Sequence, residues 1–203
     1  MADQVLRVCA LYPDLMNIYA DRGNLLLLER RCAWRGIGFE LAGATVGDDI
    51  DPDAHDLFYI GGGQDRDQAL CARDLATIKR DALHAAAERG AVLFGVCGGF
   101  QLLGHGYAFG DERLPGLGLV DLETVRADGP RLIGNVAIEV ELDGGPHGTV
   151  LGTYLHGPLL PKNSWFADWL TATALGIAPG ALAPLDDTLE DAAHAAARRA
   201  AGV

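Results

Sequence analysis

One stretch constrains this chain more than any other: Gly95-Val96-Cys97-Gly98-Gly99-Phe100-Gln101-Leu102-Leu103-Gly104. It follows Ala91-Val92-Leu93-Phe94, an apolar run that reads as a buried strand, and it opens a segment of helical character. A lone cysteine among small residues at a strand-to-helix turn is the thiol form of a nucleophile elbow. Such a turn is sharp and strained, so its neighbours must be small. It also sets the sulfur at a helix N-terminus, where unpaired N–H groups favour thiolate over thiol.

The rest of the N-terminal half alternates strand and helix. Val5–Leu11 reads as a strand, Gly23–Arg35 as a helix closed by Gly36, and Ile37–Leu41 as a second strand. Asp56–Ile60 is a third strand running into Gly61-Gly62-Gly63, Asp67–Arg89 is helical in one or two pieces, and Ala91–Val96 is the fourth strand. This order predicts an α/β fold with a mainly parallel sheet covered on both faces. In the second half Leu117–Val125, Arg131–Leu142 and Thr149–Leu155 read as strands in hairpins. Helices follow around Trp165–Thr173 and Leu189–Ala200, the last with Asp187 and Glu190 as a capping box.

With 203 residues, 49% hydrophobic and 22% charged, the chain reads as one domain over 1–203. A net charge of -12 argues against nucleic acid, whose phosphates it would repel. The uncharged run from Gly90 to Gly110 is long enough to span a bilayer, but its glycines, with Gln101 and His105, point to a buried strand and helix instead. Met1–Gln4 leads into a strand without the basic and apolar regions of a signal peptide. Cys9, Cys32, Cys71 and Cys97 have no metal-site spacing, so neither a zinc site nor a disulfide framework is expected, and the cytoplasm is the expected location. Cys9 and Cys32 read as small buried hydrophobes.

A cysteine nucleophile needs a base, an oxyanion site and a substrate grip. The base expected here is His156, in Tyr154-Leu155-His156-Gly157-Pro158, at the end of a strand where parallel α/β sheets place their sites. The bare backbone of Gly61–Gly63 ends another strand. An amide from Gly62 or Gly63, with that of Gly98, would hold an oxyanion, each donor worth about 3 kcal/mol.

Taken together, Gly-x-Cys-Gly-Gly-x-Gln-x-Leu-Gly at 95–104, the glycine-rich strand end at 61–63 and Tyr-Leu-His-Gly at 154–157 resemble the class I glutamine amidotransferases. Within them the chain is most similar to the cobyric-acid-synthase-like branch. The stretches DLMNIYADRGN (14–24), GGGQDRDQA (61–69) and LGTYLHGPLLPKN (151–163) resemble its GatD family, the glutaminase subunits of lipid II isoglutaminyl synthase.

The resemblance implies a flavodoxin-like fold and an enzyme without metal or cofactor. Cys97 would attack the side-chain amide of L-glutamine and His156 would act as base. Gln101 would line the pocket, Arg131 would grip the substrate carboxylate, and Gln64 would join them in substrate binding. Ammonia would pass to a MurT-like, ATP-dependent synthetase in a heterodimer. Another synthetase, as in corrinoid amidation, and a thiol hydrolase with the same elbow are the rival readings.

Two features depart from the pattern. Pro158 stands where most class I amidotransferases carry the glutamate of the triad, leaving a backbone carbonyl, a loop acid or a partner to orient His156. The connection 143–147 is shorter than in GatD relatives, and a natural loss of that loop would alter part of the glutamine pocket.

Overall fold

The computed structural model describes residues 4–18, 21–109, 112–125, 128–129, 133–142 and 149–203. Five strands form one parallel sheet: β1 (Val5–Leu11), β2 (Gly38–Ala44), β3 (Leu57–Ile60), β4 (Val92–Val96) and β8 (Thr149–Thr153), in the order β2-β1-β3-β4-β8. Every pairing in it is parallel, with β4 joined to β8 from Val92–Thr149 to Val96–Thr153. The order reverses between β1 and β3, as in flavodoxin-like sheets, which bind ligands outside the carboxyl ends of their strands.

Alternation along the strands builds two cores. Leu6, Val8, Leu57, Tyr59, Val92 and Phe94 face the side covered by α1 (Arg22–Trp34) and α5 (Ser164–Ala174). Cys9, Leu11, Phe58, Ile60 and Leu93 face the side covered by α2 (Asp65–Asp74), α3 (Arg80–Arg89) and α4 (Gly98–Leu103). Full burial of one such side chain is worth about 1.5–3 kcal/mol. Gly36 and Gly90 take positive φ, 69° and 108°, where the chain leaves α1 and α3.

The helix expected over 67–89 is α2 and α3 joined by a π-helical turn, Leu75–Lys79. That turn carries Lys79 inward to Asp74. The run from 90 to 110 forms β4, α4 and the start of a small second sheet. No helix among the described residues is long and apolar enough to cross a membrane.

The second half departs from its expected elements. A hairpin does form, from β5 (Gly106–Phe109) and β6 (Glu112–Pro115), and β7 (Glu123–Val125) is shorter than expected. Thr149–Thr153 is no hairpin arm but a parallel strand of the main sheet. Residues 133–142 form no strand, since no ladder partner lies beside them among the described residues. Ile133, Val136, Ile138 and Val140 stay exposed, Ile133 at 91%, while Leu142 packs partly buried against the core.

The last helix, α6 (Thr188–Ala201), forms as expected, but Asp187 makes no capping bond. Its carboxylate turns to Arg31, which also grips Asp168 on α5 at 2.6 Å and 2.7 Å. A buried guanidinium needs more acceptors than one carboxylate offers, and it draws the cap away.

Candidate active site

Topology brings Cys97 and His156 together. β4 and β8 are neighbours, and the Cys97 amide donates to the Thr153 carbonyl at 2.7 Å, one step beyond the ladder. His156 follows three residues later. Both residues line one groove of about 1800 Å³, with Gly63, Asp65, Gln68, Gln101, Tyr154 and Leu155.

Cys97 has φ 53° and ψ -107° at the N-terminus of α4, the strained corner of an elbow. The surrounding glycines are sterically required. A Cβ on Gly95 would stand 2.8 Å from the Gly99 carbon and the Phe100 nitrogen, and one on Gly99 would collide with the Ile60 carbonyl. The other cysteines are buried, and burial pushes the Cys9 and Cys32 thiols up to about 11 and Cys71 to about 12. Cys97 is the half-buried one.

Behind His156 stands a residue the sequence did not single out. Asp21 is fully buried, with Oδ1 3.4 Å from His156 Nδ1 and Oδ2 accepting the Gly62 amide at 2.7 Å. A carboxylate only accepts, so Nδ1 carries the proton and Nε2 is the basic nitrogen. Of the orienting groups left open by Pro158, Asp21 is a loop acid. Asp21 occupies the N-cap position of α1 without capping it, because its oxygens are engaged across the site.

The Asp21 backbone is held too. The Tyr59 hydroxyl donates to its carbonyl at 3.3 Å and accepts from Asn24 Nδ2 at 3.0 Å, while Asn24 Oδ1 takes the Leu160 amide at 2.9 Å. Burial pushes the Tyr59 phenol well above its usual range, so it remains a donor. The loop before α1 is thus tied to the segment after His156. The only sequence signal for Asp21 was its place inside 14–24, where an acid before a helix reads as a cap.

The expected oxyanion donors separate. The Gly62 amide donates to Asp21 Oδ2 at 2.7 Å. Its lack of a side chain leaves room for His156, since a Cβ there would stand 2.9 Å from His156 Cε1. Gly63 and Gly98 lie together: a Cβ on Gly98 would be 3.2 Å from the Gly63 nitrogen.

Gln101 lines the groove with its amide engaged at both ends. Its Oε1 accepts from Gln68 Nε2 at 2.6 Å, and its Nε2 donates to the Tyr154 hydroxyl at 3.3 Å. Gln68 and Tyr154 are groove residues that sequence reasoning missed. Gln64 begins α2 as its N-cap residue, and the groove wall there is built by Gly63 and Asp65 instead. Arg131 and the connection 143–147 lie outside the described residues.

A strand-end cysteine beside a strand-end histidine, with paired glycine amides, is the equipment of a thiol enzyme that forms an acyl intermediate. The chain belongs to the CobB/CobQ-like glutamine amidotransferase family, whose domain model matches residues 7–149. It is 34% identical over 198 residues to the GatD subunit of the glutamine-hydrolysing lipid II isoglutaminyl synthase of Staphylococcus aureus (strain N315), covering 79% of this chain and 81% of that one. With the same subunit of Streptococcus pneumoniae (strain ATCC BAA-255 / R6) it shares 30% over 210 residues, 84% of this chain and 80% of that one. A hydrogenobyrinate a,c-diamide synthase of Sinorhizobium sp is 34% identical over 170 residues, covering 82% of this chain and 36% of that protein.

Proposed function

We propose that this chain is the glutaminase subunit of a two-subunit amidotransferase. His156 Nε2 takes the proton of Cys97, whose sulfur attacks the side-chain amide carbon of L-glutamine. The tetrahedral oxyanion is held by the Gly63 and Gly98 amides. His156 returns the proton to the leaving nitrogen, the C–N bond breaks, and ammonia departs from a γ-glutamyl thioester. His156 then takes a proton from water, which attacks the thioester and releases glutamate and free Cys97.

Asp21 positions the imidazole and stabilises it when charged. Gln101, held by Gln68 and Tyr154, shapes the glutamine pocket, and Arg131 grips the substrate carboxylate. The ammonia goes to a MurT-like, ATP-dependent synthetase in a heterodimer, which amidates the D-glutamate of lipid II. Similarity to the two GatD subunits supports that acceptor.

The observation that carries the reading is the β4–β8 pairing, which sets Cys97 and His156 at one sheet end with Asp21 behind the base. The test is release of glutamate and ammonia from glutamine by the wild-type chain and by Cys97→Ser, alone and with the synthetase. Equal release by both proteins refutes the reading. Release that feeds some other ligase leaves the chemistry standing and changes the acceptor.

A further inference from the structure

Just past β1 the chain turns through Tyr12, whose φ of 54° is a left-handed conformation that bulky residues rarely hold. A buried polar group fixes it there. The Tyr12 hydroxyl donates to Asp74 Oδ2 at 2.7 Å, and the Lys79 ammonium bonds the same oxygen and the Thr45 carbonyl, the latter at 2.9 Å. The Gly47 amide completes the carboxylate at 2.8 Å, and Lys79 lies over the Tyr12 ring, 5.1 Å from its centre. A buried ion pair adds little net stability over good apolar packing, but it pins one geometry.

That geometry is transmitted to Met16. The Tyr12 carbonyl accepts the amides of Leu15 and Met16 at 3.0 and 2.8 Å, so the corner and the next turn are one unit. Met16 is 2% exposed, and its thioether lies against the two glycines assigned above to the oxyanion. A Cβ on Gly63 would collide with its sulfur, and one on Gly98 would stand 3.2 Å from its Cε. Glycines bring no side chain to fix their own place, so a neighbour must do it.

We propose that Met16, held by the buried Tyr12–Asp74–Lys79 group, is a positioning residue for the oxyanion site, wedged behind Gly63 and Gly98 to set the spacing of their amides. This rests on the glutaminase reading. Preorganised donors stabilise a transition state because they need not move when charge develops. Loosening the wedge therefore costs the chemical step and spares ground-state binding.

The experiment compares Met16→Ala, Met16→Leu and Tyr12→Phe in the full chain, with the synthetase present. It reads kcat and KM for glutamine, melting temperature, and the rate at which iodoacetamide alkylates Cys97. Alkylation is a direct displacement at carbon that builds no oxyanion. Met16→Ala is expected to lose about 10- to 100-fold in kcat, with KM and alkylation within about threefold of wild type. Met16→Leu, which refills the volume, regains most of the loss. Tyr12→Phe shows the same split at smaller size.

The inference is overturned if Met16→Ala keeps wild-type kcat, or if kcat and alkylation fall in parallel, which marks general collapse of the elbow. If Met16→Ala does not fold, Tyr12→Phe decides on the same two criteria, since it deletes one hydroxyl. Wild-type protein without Cys97-dependent glutamine hydrolysis overturns the glutaminase reading itself. Wild-type hydrolysis with an unaffected Met16→Ala overturns the wedge alone.

Discussion

His156 Nδ1 lies 3.4 Å from Asp21 Oδ1, and the other oxygen of that carboxylate holds the Gly62 amide at 2.7 Å. One buried acid therefore holds both the His156 imidazole and the glycine-rich loop at Gly62. Asp21→Asn keeps an acceptor for Gly62 but removes the charge that fixes the tautomer and stabilises the imidazolium. Its glutaminase kcat is expected to fall about 10²- to 10⁴-fold, approaching His156→Ala. Activity within about twofold of wild type would return His156 to an orienting group elsewhere.

Thiol labelling separates the four cysteines. Burial holds Cys9, Cys32 and Cys71 as neutral thiols, pushed up to about 11, 11 and 12. A glutamine-mimicking electrophile such as diazo-oxo-norleucine should label native protein at Cys97 only, and Cys97→Ser should take no label. Peptide mass spectrometry checks this, and label at Cys71 in folded protein counts against the assignment.

Two glycines predict opposite phenotypes. A Cβ on Gly99 runs into the Ile60 backbone carbonyl, which has no room to retreat, so Gly99→Ala should cost several kcal/mol and express poorly. A Cβ on Gly62 meets side chains instead, at 2.9 Å from His156 Cε1 and 3.0 Å from Ile18 Cγ1. Gly62→Ala should fold, with a melting temperature near wild type, and lose most of its kcat because the imidazole is displaced. Full activity in Gly62→Ala would sink this account of the base.

The elbow and the strand-end position of His156 were legible because both obey local rules. Small residues around Cys97 are a steric demand of one turn, and His156 follows a strand of its own. The parallel sheet was legible from apolar runs spaced by helix-length segments. Asp21 was not, because its role depends on where Gly62 and His156 meet in space, and one acid before a helix looks like a cap. The same holds for Asp187, drawn from its cap by Arg31. The run 133–142 carries a strand's alternation, but alternation records a preference and cannot supply the neighbouring strand a ladder needs.

Stability should fall on the acid side. Burial alone would raise the Asp74 and Asp168 carboxyls. Lys79, Tyr12 and the Gly47 amide overcome it at Asp74, and Arg31 and Arg35 at Asp168, so both sit below the usual carboxylate range. A depressed acid contributes stability that is fully present above its unfolded pKa, about 4, and is lost as pH falls through the folded value. The melting temperature should hold above about pH 5 and drop below about pH 4. Asp74→Asn strips the partner from a fully buried Lys79 and should cost about 3–5 kcal/mol at neutral pH. A flat acid limb in wild type, or a neutral Asp74→Asn, would show that these pairs stabilise nothing.

Glutaminase activity should depend on a docked partner. The groove of about 1800 Å³ exceeds the roughly 300–1,000 Å³ usual for one small molecule, and residues such as Val136, Ile138 and Val140 on its wall are more than half exposed. Ammonia released there meets water and is protonated, which removes its nucleophilicity toward an activated carboxylate. A synthetase covering the groove mouth would keep it neutral and bury the exposed apolar wall. The isolated chain should therefore hydrolyse glutamine slowly and gain activity when a MurT-like synthetase is added. The pair should form the amide product from glutamine at a lower nitrogen concentration than from ammonium salts. Ile138→Asp puts a charge on the exposed wall without touching the nucleophile or its base. It should weaken association measured by calorimetry and lower only the coupled rate, leaving the basal glutaminase rate of the isolated chain unchanged. Tight association and full coupling in Ile138→Asp would move the docking surface off the groove.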